Sequence, residues 1–307
     1  MKIKHVISTS QFDRKMLEEL FRLAYKMEKL HKSRKPSKIL AGKIMAAIFY
    51  EPSTRTRLSF ETAMLKLGGQ VISTENAAQF SSAAKGETLE DSTRVIDGYA
   101  DIIIVRHPET GSVKRVADVS KVPVINAGDG SGDHPTQGLL DAYTIKNELG
   151  SIAGKTITFC GDLLNGRTVH ATFHLAKLYP GVTFQFCSTP ELAMPEEYIN
   201  ELVNRKIPFQ VFGSLDDAIG SADVLYMTRI QKERFASPKE YEKHKNDFIL
   251  TKRHLLAMKK KSIIMHPLPR VNEIAPEIDA DPRAAYFRQA QNGLYVRMAL
   301  LQMLLGK

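Results

Sequence analysis

A run of hydroxyl and guanidinium side chains, Ser53-Thr54-Arg55-Thr56-Arg57, stands where a predicted apolar strand gives way to a predicted helix. The first backbone N–H groups of a helix have no partner within it, and the helix dipole is positive there, so this end suits an anion. Hydroxyls add hydrogen-bond donors, and arginine adds a two-pronged fork. The plain alternative is a helix cap followed by two exposed arginines. Two hydroxyls and an arginine directly after the cap favour an anion site.

Three further segments place polar side chains directly after predicted strands. They are Arg106-His107-Pro108, Asp133-His134-Pro135-Thr136-Gln137 and His266-Pro267-Leu268-Pro269-Arg270. In open sheets of parallel strands, ligands bind beyond the carboxyl ends of the strands. One histidine before a proline is typical of an ordinary turn, but three such segments at three strand ends indicate a site.

Two segments in the second half add arginines suited to carboxylates. Arg167 lies at a strand-to-helix turn that begins Gly161-Asp162-Leu163, and Arg229 follows the predicted strand 224–227. The first turn resembles a dinucleotide loop but lacks the G-x-G-x-x-G spacing, which argues against a nucleotide. Each arginine could clamp one carboxylate, or could be a surface arginine in a salt bridge. The charged stretch 232–247 is predicted to be a mobile loop that closes over the site.

Helices and strands alternate along the chain, a pattern typical of parallel sheets covered by helices on both faces. We predict an α/β fold with two domains, each a mostly parallel sheet, joined by bridging helices. The predicted strands of the first half are 43–49, 71–74, 101–106 and 122–126. Those of the second half are 155–160, 182–187, 209–212, 224–227 and 262–265.

Two of the predicted helices connect the halves. The helix 135–149 is the predicted bridge, and a final helix at 283–305 could return to the first half. The other helices are predicted after Ser10 and at 54–67, 88–99, 111–119, 167–178, 195–204, 215–222 and 252–258. The predicted domains are 1–134, joined by the C-terminal segment 284–307, and 150–283.

The composition is that of an ordinary soluble globular protein, with 43% hydrophobic and 25% charged residues among 307. The net charge of +9 fits either a nucleic-acid-binding protein or an enzyme for anionic small molecules. The positive charge is spread along the chain, and no helix-turn-helix, zinc-finger or RNA-recognition signature is present. These observations favour the enzyme and argue against nucleic acid as a partner.

Two features bear on location and on metals. No apolar run reaches the ~18 residues of a membrane span, and the first residues lack the apolar core of a signal peptide. We therefore expect no membrane partner and a cytoplasmic location. The two cysteines, Cys160 and Cys187, lie in apolar predicted strands without further ligands at metal spacing. We expect both to be buried and expect no metal site.

The motifs Ser-Thr-Arg-Thr-Arg, His-Pro-Thr-Gln and His-Pro-Leu-Pro-Arg, in this order and at these separations, resemble the aspartate/ornithine carbamoyltransferase family over essentially the whole chain. Ornithine enzymes carry a cysteine where this chain has Pro267, and Thr-Arg-Ile-Gln-Lys-Glu-Arg at 228–234 resembles the aspartate branch. The resemblance implies carbamoyl transfer from carbamoyl phosphate to L-aspartate, giving N-carbamoyl-L-aspartate and phosphate in pyrimidine biosynthesis. Ornithine or another amino acid is the alternative acceptor.

The resemblance implies that the first domain binds carbamoyl phosphate and the second binds aspartate, without a cofactor. The residues implied to hold the phosphate are Ser53, Thr54, Arg55, Thr56 and Arg106. The donors implied to point at the carbonyl oxygen are Thr56, Arg106 and His134. Gln137 and the backbone carbonyls of Pro267 and Leu268 are implied to bind the carbamoyl NH2 group, with a cis peptide before Pro269 that aims these carbonyls.

Further roles follow from the same resemblance. The residues implied to hold aspartate are Arg167, Arg229 and Gln231, together with Lys85. Ser81 and Lys85 resemble a loop donated by a neighbouring subunit, which implies a homotrimer with shared active sites. Glu51 and Arg234 are implied to hold a closed state, in which Glu51 engages Arg167 and Arg234. The sequence leaves open whether a separate regulatory chain joins a larger assembly.

Overall fold

The computed structural model describes residues 3–80, 82–230, 237, 242 and 247–306. The chain forms two compact units, Met1–Leu140 with Gln291–Lys307, and Asp141–Ala290. Among the described residues, every helix is too short or too polar to cross a membrane. The functional domains expected from the sequence, 1–134 with 284–307 and 150–283, remain a prediction.

The sheet of the first unit has four parallel strands in the order β2-β1-β3-β4. The strands are β1 (Ile44–Phe49), β2 (Gln70–Glu75), β3 (Ile102–His107) and β4 (Val124–Asp129). The inner strands β1 and β3 are largely buried, as expected of apolar strands with neighbours on both sides. Phe49 lies beside Arg106 in the register, so the turn after β1 and the end of β3 meet at one edge.

Helices connect these strands, and two of them continue into the second unit. They are α1 (Arg14–Ser33), α2 (Thr54–Lys66), α3 (Ala77–Phe80), α4 (Leu89–Ile96), α5 (Ser112–Val119), α6 (Pro135–Leu149) and, later in the chain, α10 (Tyr286–Leu305). Asp13 caps α1 by accepting from the Met16 N–H, and Thr88 caps α4 by accepting from the Asp91 N–H. The predicted bridging helix 135–149 is confirmed residue for residue.

The sheet of the second unit has five parallel strands in the order β7-β6-β5-β8-β9. The strands are β5 (Thr156–Cys160), β6 (Thr183–Cys187), β7 (Phe209–Phe212), β8 (Val224–Met227) and β9 (Ile263–Met265). The helices are α7 (Arg167–Ala176), α8 (Glu196–Arg205) and α9 (Leu215–Ala218). The predicted fold class, with two parallel α/β sheets, is confirmed.

Four predicted helices differ from the structure by three or more residues, and one of them, expected at 88–99, spans only Leu89–Ile96. The helix expected at 215–222 ends at Ala218 and tightens into a 3-10 turn, Ile219–Ser221. The helix expected at 252–258 is a 3-10 turn, Lys252–Leu256, because the His254 ring accepts the Thr251 N–H and closes the first turn tightly. The last helix begins at Tyr286 rather than at 283, since the Arg283 guanidinium is held by Asp281.

Other short 3-10 turns complete the described chain. They are Thr9–Gln11, Ser82–Lys85, Pro190–Leu192 and Pro276–Ala280. The predicted mobile loop 232–247 lies outside the described residues, apart from residues 237, 242 and 247.

Candidate active site

The turn between β1 and α2 carries the hydroxyl–guanidinium run. Ser53 occupies the cap position of α2, yet its side chain makes no capping hydrogen bond. Its backbone carbonyl accepts the Arg57 N–H at 3.0 Å, so the helix begins without the hydroxyl. The first N–H groups of a helix have no intrahelical partner. The Ser53 hydroxyl and these N–H groups are therefore available to one ligand, in the arrangement that binds anions.

Two arginines lie near this turn, Arg55 in the first turn of α2 and Arg106 near the end of the adjacent strand β3. Arg55 is exposed, but partial desolvation of its guanidinium, followed by the charge of Arg106, lowers its pKa, so the two cations are close enough to repel each other. Arg106 donates to the Ala127 carbonyl at 3.2 Å and forms an ion pair with the Glu51 carboxylate at 2.6 Å. Two crowded cations with one carboxylate leave an excess of positive charge, which an anion would neutralise.

The second arginine of the run has a different environment. The Arg57 guanidinium is paired with Glu61 at 3.1 Å and with Glu75 at 3.0 Å. Glu75 is the last residue of β2, and its other oxygen accepts the Ser53 N–H at 3.3 Å. Arg57 therefore ties the start of α2 to β2, whereas Arg55 lies in the exposed part of the turn.

The loop after β4 holds His134 in place. The Asp133 carboxylate accepts from the Thr9 N–H at 2.6 Å and from the hydroxyls of Ser8 and Thr9. The Asn126 side chain donates to the Asp133 carbonyl at 3.3 Å. His134 is buried and directly precedes α6, whose first turn contains Gln137. No local pattern could predict the contact of the N-terminal segment with Asp133, because Ser8 and Thr9 lie over 120 residues away from it.

A buried arginine of the first unit contacts the start of α6 and the middle of α2. Arg297 of α10 donates to the Thr136 hydroxyl at 3.3 Å, and its guanidinium lies 5.1 Å from the ring centre of Phe60 in α2. The packing is tight, because a Cβ atom at Gly293 would come within 2.4 Å of the Arg297 guanidinium. Sequence reasoning missed Arg297, which fixes the start of α6 against α2.

In the second unit, the turns that carry Arg167 and Arg229 pack against each other. Gly161 adopts a φ of +119°, and a Cβ atom there would lie 2.4 Å from the Thr228 carbonyl oxygen. The Thr228 N–H donates to the Cys160 carbonyl at 2.8 Å. A glycine is therefore required at 161 for both conformation and space. Arg167 begins α7 and Arg229 lies two residues after β8, so both follow adjacent strands.

The segment after β9 forms a fixed turn around His266. The Leu268–Pro269 peptide is cis, as the resemblance predicted, and Leu268 has a φ of 53°. The Leu268 N–H donates to His266 Nδ1 at 2.8 Å, so His266 must carry its proton on Nε2 and donate it to Glu273 Oε1 at 2.7 Å. The other Glu273 oxygen accepts the N–H groups of Val271 and Asn272.

The electrostatics of this pair fix its charge state. Burial lowers the pKa of His266, which is 1% exposed. Burial alone would raise the pKa of Glu273, but the hydrogen bond from His266, its charge and the backbone N–H donors together outweigh burial and lower that pKa. A neutral imidazole and an ionised carboxylate are thus the stable forms at neutral pH. Sequence reasoning missed Glu273 as the partner that orients this turn.

Each sheet therefore gathers one half of the expected site. The carboxyl ends of β1, β3 and β4 carry the first group: Ser53, Thr54, Arg55, Thr56, Arg106, His134 and Gln137. The carboxyl ends of β5, β8 and β9, adjacent in the second sheet, carry the other: Arg167, Arg229, Pro267, Leu268 and Pro269. Lys85 is exposed and ends a 3-10 turn of the first unit. Ser81, Gln231 and Arg234 lie outside the described residues.

Cys160 and Cys187 are buried, as predicted, and are paired in the β5–β6 register; burial raises the pKa of the Cys160 thiol. Within the described part of the chain, no group of three or more His, Cys, Asp or Glu side chains could hold a metal ion.

Known proteins resemble this chain over its whole length. Residues 4–147 match the family model of the aspartate/ornithine carbamoyltransferase carbamoyl-P binding domain, and residues 153–304 match that of the Asp/Orn binding domain. The chloroplastic aspartate carbamoyltransferase of Arabidopsis thaliana is 51% identical, over 99% of this chain and 78% of that protein. The aspartate carbamoyltransferase catalytic subunit of Methanocaldococcus jannaschii is 50% identical, over 99% of this chain and 98% of that protein.

Solved structures give the same result. The catalytic subunit of M. jannaschii aspartate transcarbamoylase has a TM-score of 0.93 at 50% identity, covering 98% of each chain. The Trypanosoma cruzi aspartate transcarbamoylase in complex with carbamoyl aspartate and phosphate has a TM-score of 0.93 at 38% identity, covering 99% of this chain and 97% of that one. The chain belongs to the aspartate/ornithine carbamoyltransferase family, in its aspartate carbamoyltransferase branch.

Proposed function

We propose that this chain transfers the carbamoyl group of carbamoyl phosphate to the amine of L-aspartate, giving N-carbamoyl-L-aspartate and phosphate, a step of pyrimidine biosynthesis. The observation that carries the proposal is the pair of crowded guanidinium groups, Arg55 and Arg106, at a helix end with an unused cap hydroxyl. T. cruzi aspartate transcarbamoylase, a relative of the same fold, was solved in complexes with carbamoyl phosphate and with aspartate.

The phosphate is held by the start of α2. The N–H groups and hydroxyls of Ser53, Thr54 and Thr56 donate to its oxygens, and Arg55 and Arg106 neutralise its charge. Ser81 of the neighbouring subunit is a further proposed donor. On binding, the phosphate replaces the Glu51 carboxylate, now 2.6 Å from Arg106, as the principal counter-charge of that guanidinium.

The carbamoyl group is polarised by donors at the same sheet edge. Thr56, Arg106 and His134 donate to its carbonyl oxygen, which becomes an oxyanion when the aspartate amine attacks the carbon. Preorganised donors of this kind are worth about 3–4 kcal/mol each where measured. Gln137 and the backbone carbonyls of Pro267 and Leu268 hold the NH2 group.

Aspartate is bound by the second unit and by a neighbouring chain. Arg167 and Arg229 each bind one carboxylate through a two-pronged contact. Gln231 and Lys85, the latter from the neighbouring subunit, complete the set. Bringing two anionic substrates together is opposed by their repulsion, which these fixed cations offset. Holding the amine against the carbamoyl carbon adds an entropic advantage of up to about 7–11 kcal/mol.

The proton of the attacking amine passes to the departing phosphate. His134 donates to the carbonyl oxygen in this scheme, so its ring is not the base. The pH dependence of turnover in His134→Ala decides whether the phosphate or the His134 ring accepts the proton. Reduced turnover with a retained pH profile supports phosphate as the acceptor, while complete loss at every pH with substrate binding intact would make His134 the base.

The acceptor is tested by assaying the protein with L-aspartate and with L-ornithine at equal concentrations. We expect turnover with aspartate and little or none with ornithine. Faster turnover of ornithine would reject the acceptor, and no turnover of carbamoyl phosphate with either amine would reject the reaction class. Retention on a nucleic-acid column at low salt, lost as salt rises, would instead favour the nucleic-acid alternative.

We further propose a homotrimer whose sites are shared between subunits through Ser81 and Lys85. Inactive Arg55→Ala and Lys85→Ala proteins are mixed under conditions that exchange subunits. Hybrid trimers regain some intact sites, so activity returns. If hybrids form and activity does not return, the sites lie within single subunits.

The proposal also covers the closed state of the enzyme, its cellular location and its assembly with other chains. Glu51 engages Arg167 and Arg234 when both substrates are bound, and so holds the closed state. A cytoplasmic location is proposed for this chain, although the A. thaliana relative is named chloroplastic. The M. jannaschii relative is named a catalytic subunit, and a separate regulatory chain would add mass to the trimer in light scattering of the native assembly.

A further inference from the structure

A buried carboxylate in α6 has contacts with three distant segments of the second unit. Asp141 is fully buried. Its Oδ2 accepts from the Tyr226 hydroxyl at 2.7 Å and from the Thr172 hydroxyl at 2.9 Å. Its Oδ1 accepts from the Gln289 side-chain amide at 2.6 Å. One carboxylate therefore joins α6, α7, β8 and α10.

Each of these donors belongs to, or directly supports, a segment that carries site residues. Tyr226 lies in β8, three residues before Arg229. Thr172 lies in α7, whose first residue is Arg167. The side-chain Oε1 of Gln289 accepts the His266 N–H at 2.8 Å, so the Gln289 side-chain amide links Asp141 to the turn around Pro267 and Leu268.

The polarity of these contacts requires a carboxylate. Burial and the charge of Asp141 raise the pKa of the Tyr226 hydroxyl well above its ordinary value, so the hydroxyl stays a donor. The Gln289 amide is fixed in orientation, because its oxygen is used by the His266 N–H and only its NH2 group can face Asp141. A carboxylate accepts on both oxygens, whereas an asparagine would place an NH2 group against one of these donors.

We propose that Asp141 is a positioning residue for the second half of the active site. Through Tyr226, Thr172 and Gln289 it sets the strand ends that present Arg229, Arg167 and the carbonyls of the 266–270 turn to the substrates. The inference rests on the proposed roles of those site residues in aspartate binding. Burying a carboxylate at this helix position costs desolvation free energy on folding, a cost that an apolar side chain would avoid.

A second buried polar network in the same unit provides a matched control. Gln185 accepts from the Thr158 hydroxyl at 2.7 Å and donates to Gln210 and to Ser221. Thr158 is fully buried in β5, next to β8 in the sheet. Its hydroxyl contacts Gln185 and no group of the proposed site, so Thr158→Val removes one buried hydroxyl bond without disturbing the strand ends.

The test compares Tyr226→Phe and Asp141→Asn with Thr158→Val. All three lose some thermal stability. Tyr226→Phe and Asp141→Asn also raise the KM for aspartate, by roughly tenfold for misplacement of less than an ångström. Their affinity for inorganic phosphate, which first-unit residues hold, stays that of the wild type. Thr158→Val keeps the wild-type KM for aspartate.

Two outcomes separate the inference from the proposed function. If Tyr226→Phe and Asp141→Asn only lose stability and keep the wild-type KM and kcat for aspartate, Asp141 is a structural residue and the inference fails. If the wild-type protein does not turn over aspartate, the proposed function fails instead. Should Asp141→Asn not fold, the Tyr226→Phe comparison decides, since it leaves the carboxylate and the ring in place.

Discussion

The two sheet edges that carry the proposed site residues are stabilised in different ways. At the edge of the first unit, charged groups with partial access to solvent are paired with one another, as in the contact of Arg106 with Glu51. At the edge of the second unit, the supporting groups are buried, as in Asp141 with its donors and His266 with Glu273. A partly exposed ion pair exchanges partners at small cost, whereas a buried polar network has few alternatives.

This difference matches the two tasks of the proposed reaction. The first edge must accept a phosphate that arrives with its own charge, and a carboxylate beside Arg106 is a temporary substitute for it. The second edge must hold a small amino acid with its amine in one orientation, which requires preformed geometry. We expect substitutions at the first edge to change anion binding, and substitutions beneath the second to change stability and aspartate orientation together.

The largest effect is expected from Arg55→Ala, at the first edge. The substitution removes a cation from the phosphate site and from the developing charge, and turnover should fall by about 10²–10³-fold, as for loss of a preorganised donor. Stability should hardly change, because Arg55 is exposed and its neighbour Arg106 repels it. Steady-state kinetics measure the loss of turnover, and thermal unfolding of the same preparation measures the stability.

Arg57→Ala is the matched control two residues further along α2. Its guanidinium is paired with Glu61 and Glu75, so its loss should weaken the attachment of α2 to β2 and lower turnover far less. Equal losses of turnover in the two variants would show that activity depends only on the overall positive charge of the turn. The two arginines would then not differ in function.

The second prediction concerns Glu273→Gln, beneath the second edge. A glutamine oxygen can still accept from His266, but its NH2 group then faces the N–H groups of Val271 and Asn272. Leaving buried donors unsatisfied costs about 1–3 kcal/mol of unfolding free energy. Urea unfolding at pH 7 measures the loss, and Asp91→Asn, which breaks an exposed pair with Arg94, should leave stability unchanged.

The same variant should change the acid stability. His266 and Glu273 both have pKa values below their ordinary values of 6.5 and 4.5. The unfolded chain therefore binds more protons than the folded one as pH falls through 6.5 and then 4.5, and the wild type loses stability over that range. In Glu273→Gln the contribution of Glu273 disappears, so stability should fall less steeply below pH 4.5 than in the wild type, while other carboxylates with lowered pKa values, such as Glu90 and Glu201, keep contributing in both proteins. An unfolding free energy that falls equally steeply below pH 4.5 in both proteins would contradict the assigned charge states.

The elements that position the site could be predicted because they depend on local patterns. Apolar runs and helical periodicity located β1, β3 and the helix 135–149, and polar segments at their ends indicated the site edge. Small deviations, such as the 3-10 turn Lys252–Leu256, arose where one side chain, here His254, closed a turn by itself.

The supports beneath the site could not be predicted, because their partners are distant in sequence. Asp141 and Gln289 are 148 residues apart, and Arg297 lies 161 residues from Thr136. The local signal was an acidic residue, Asp141, within the otherwise apolar stretch 139–143 of a predicted helix, which indicates a buried polar partner but does not identify it. The missing cap at Ser53 was also unpredictable, since local rules favour a capped serine.

The smallest expected effect tests the exchange of partners at the first edge. In Glu51→Gln, Arg106 loses the carboxylate now 2.6 Å away, and an arriving phosphate no longer competes with it. A partly exposed ion pair is worth about 1 kcal/mol or less, so the Kd for inorganic phosphate should fall by up to about fivefold. Titration calorimetry at fixed ionic strength measures it. Turnover should nevertheless fall, because Glu51 is proposed to hold the closed state once both substrates are bound. Weaker phosphate binding in Glu51→Gln would mean that the carboxylate orients Arg106 rather than occupying the phosphate's place, and the first edge would then be as preformed as the second.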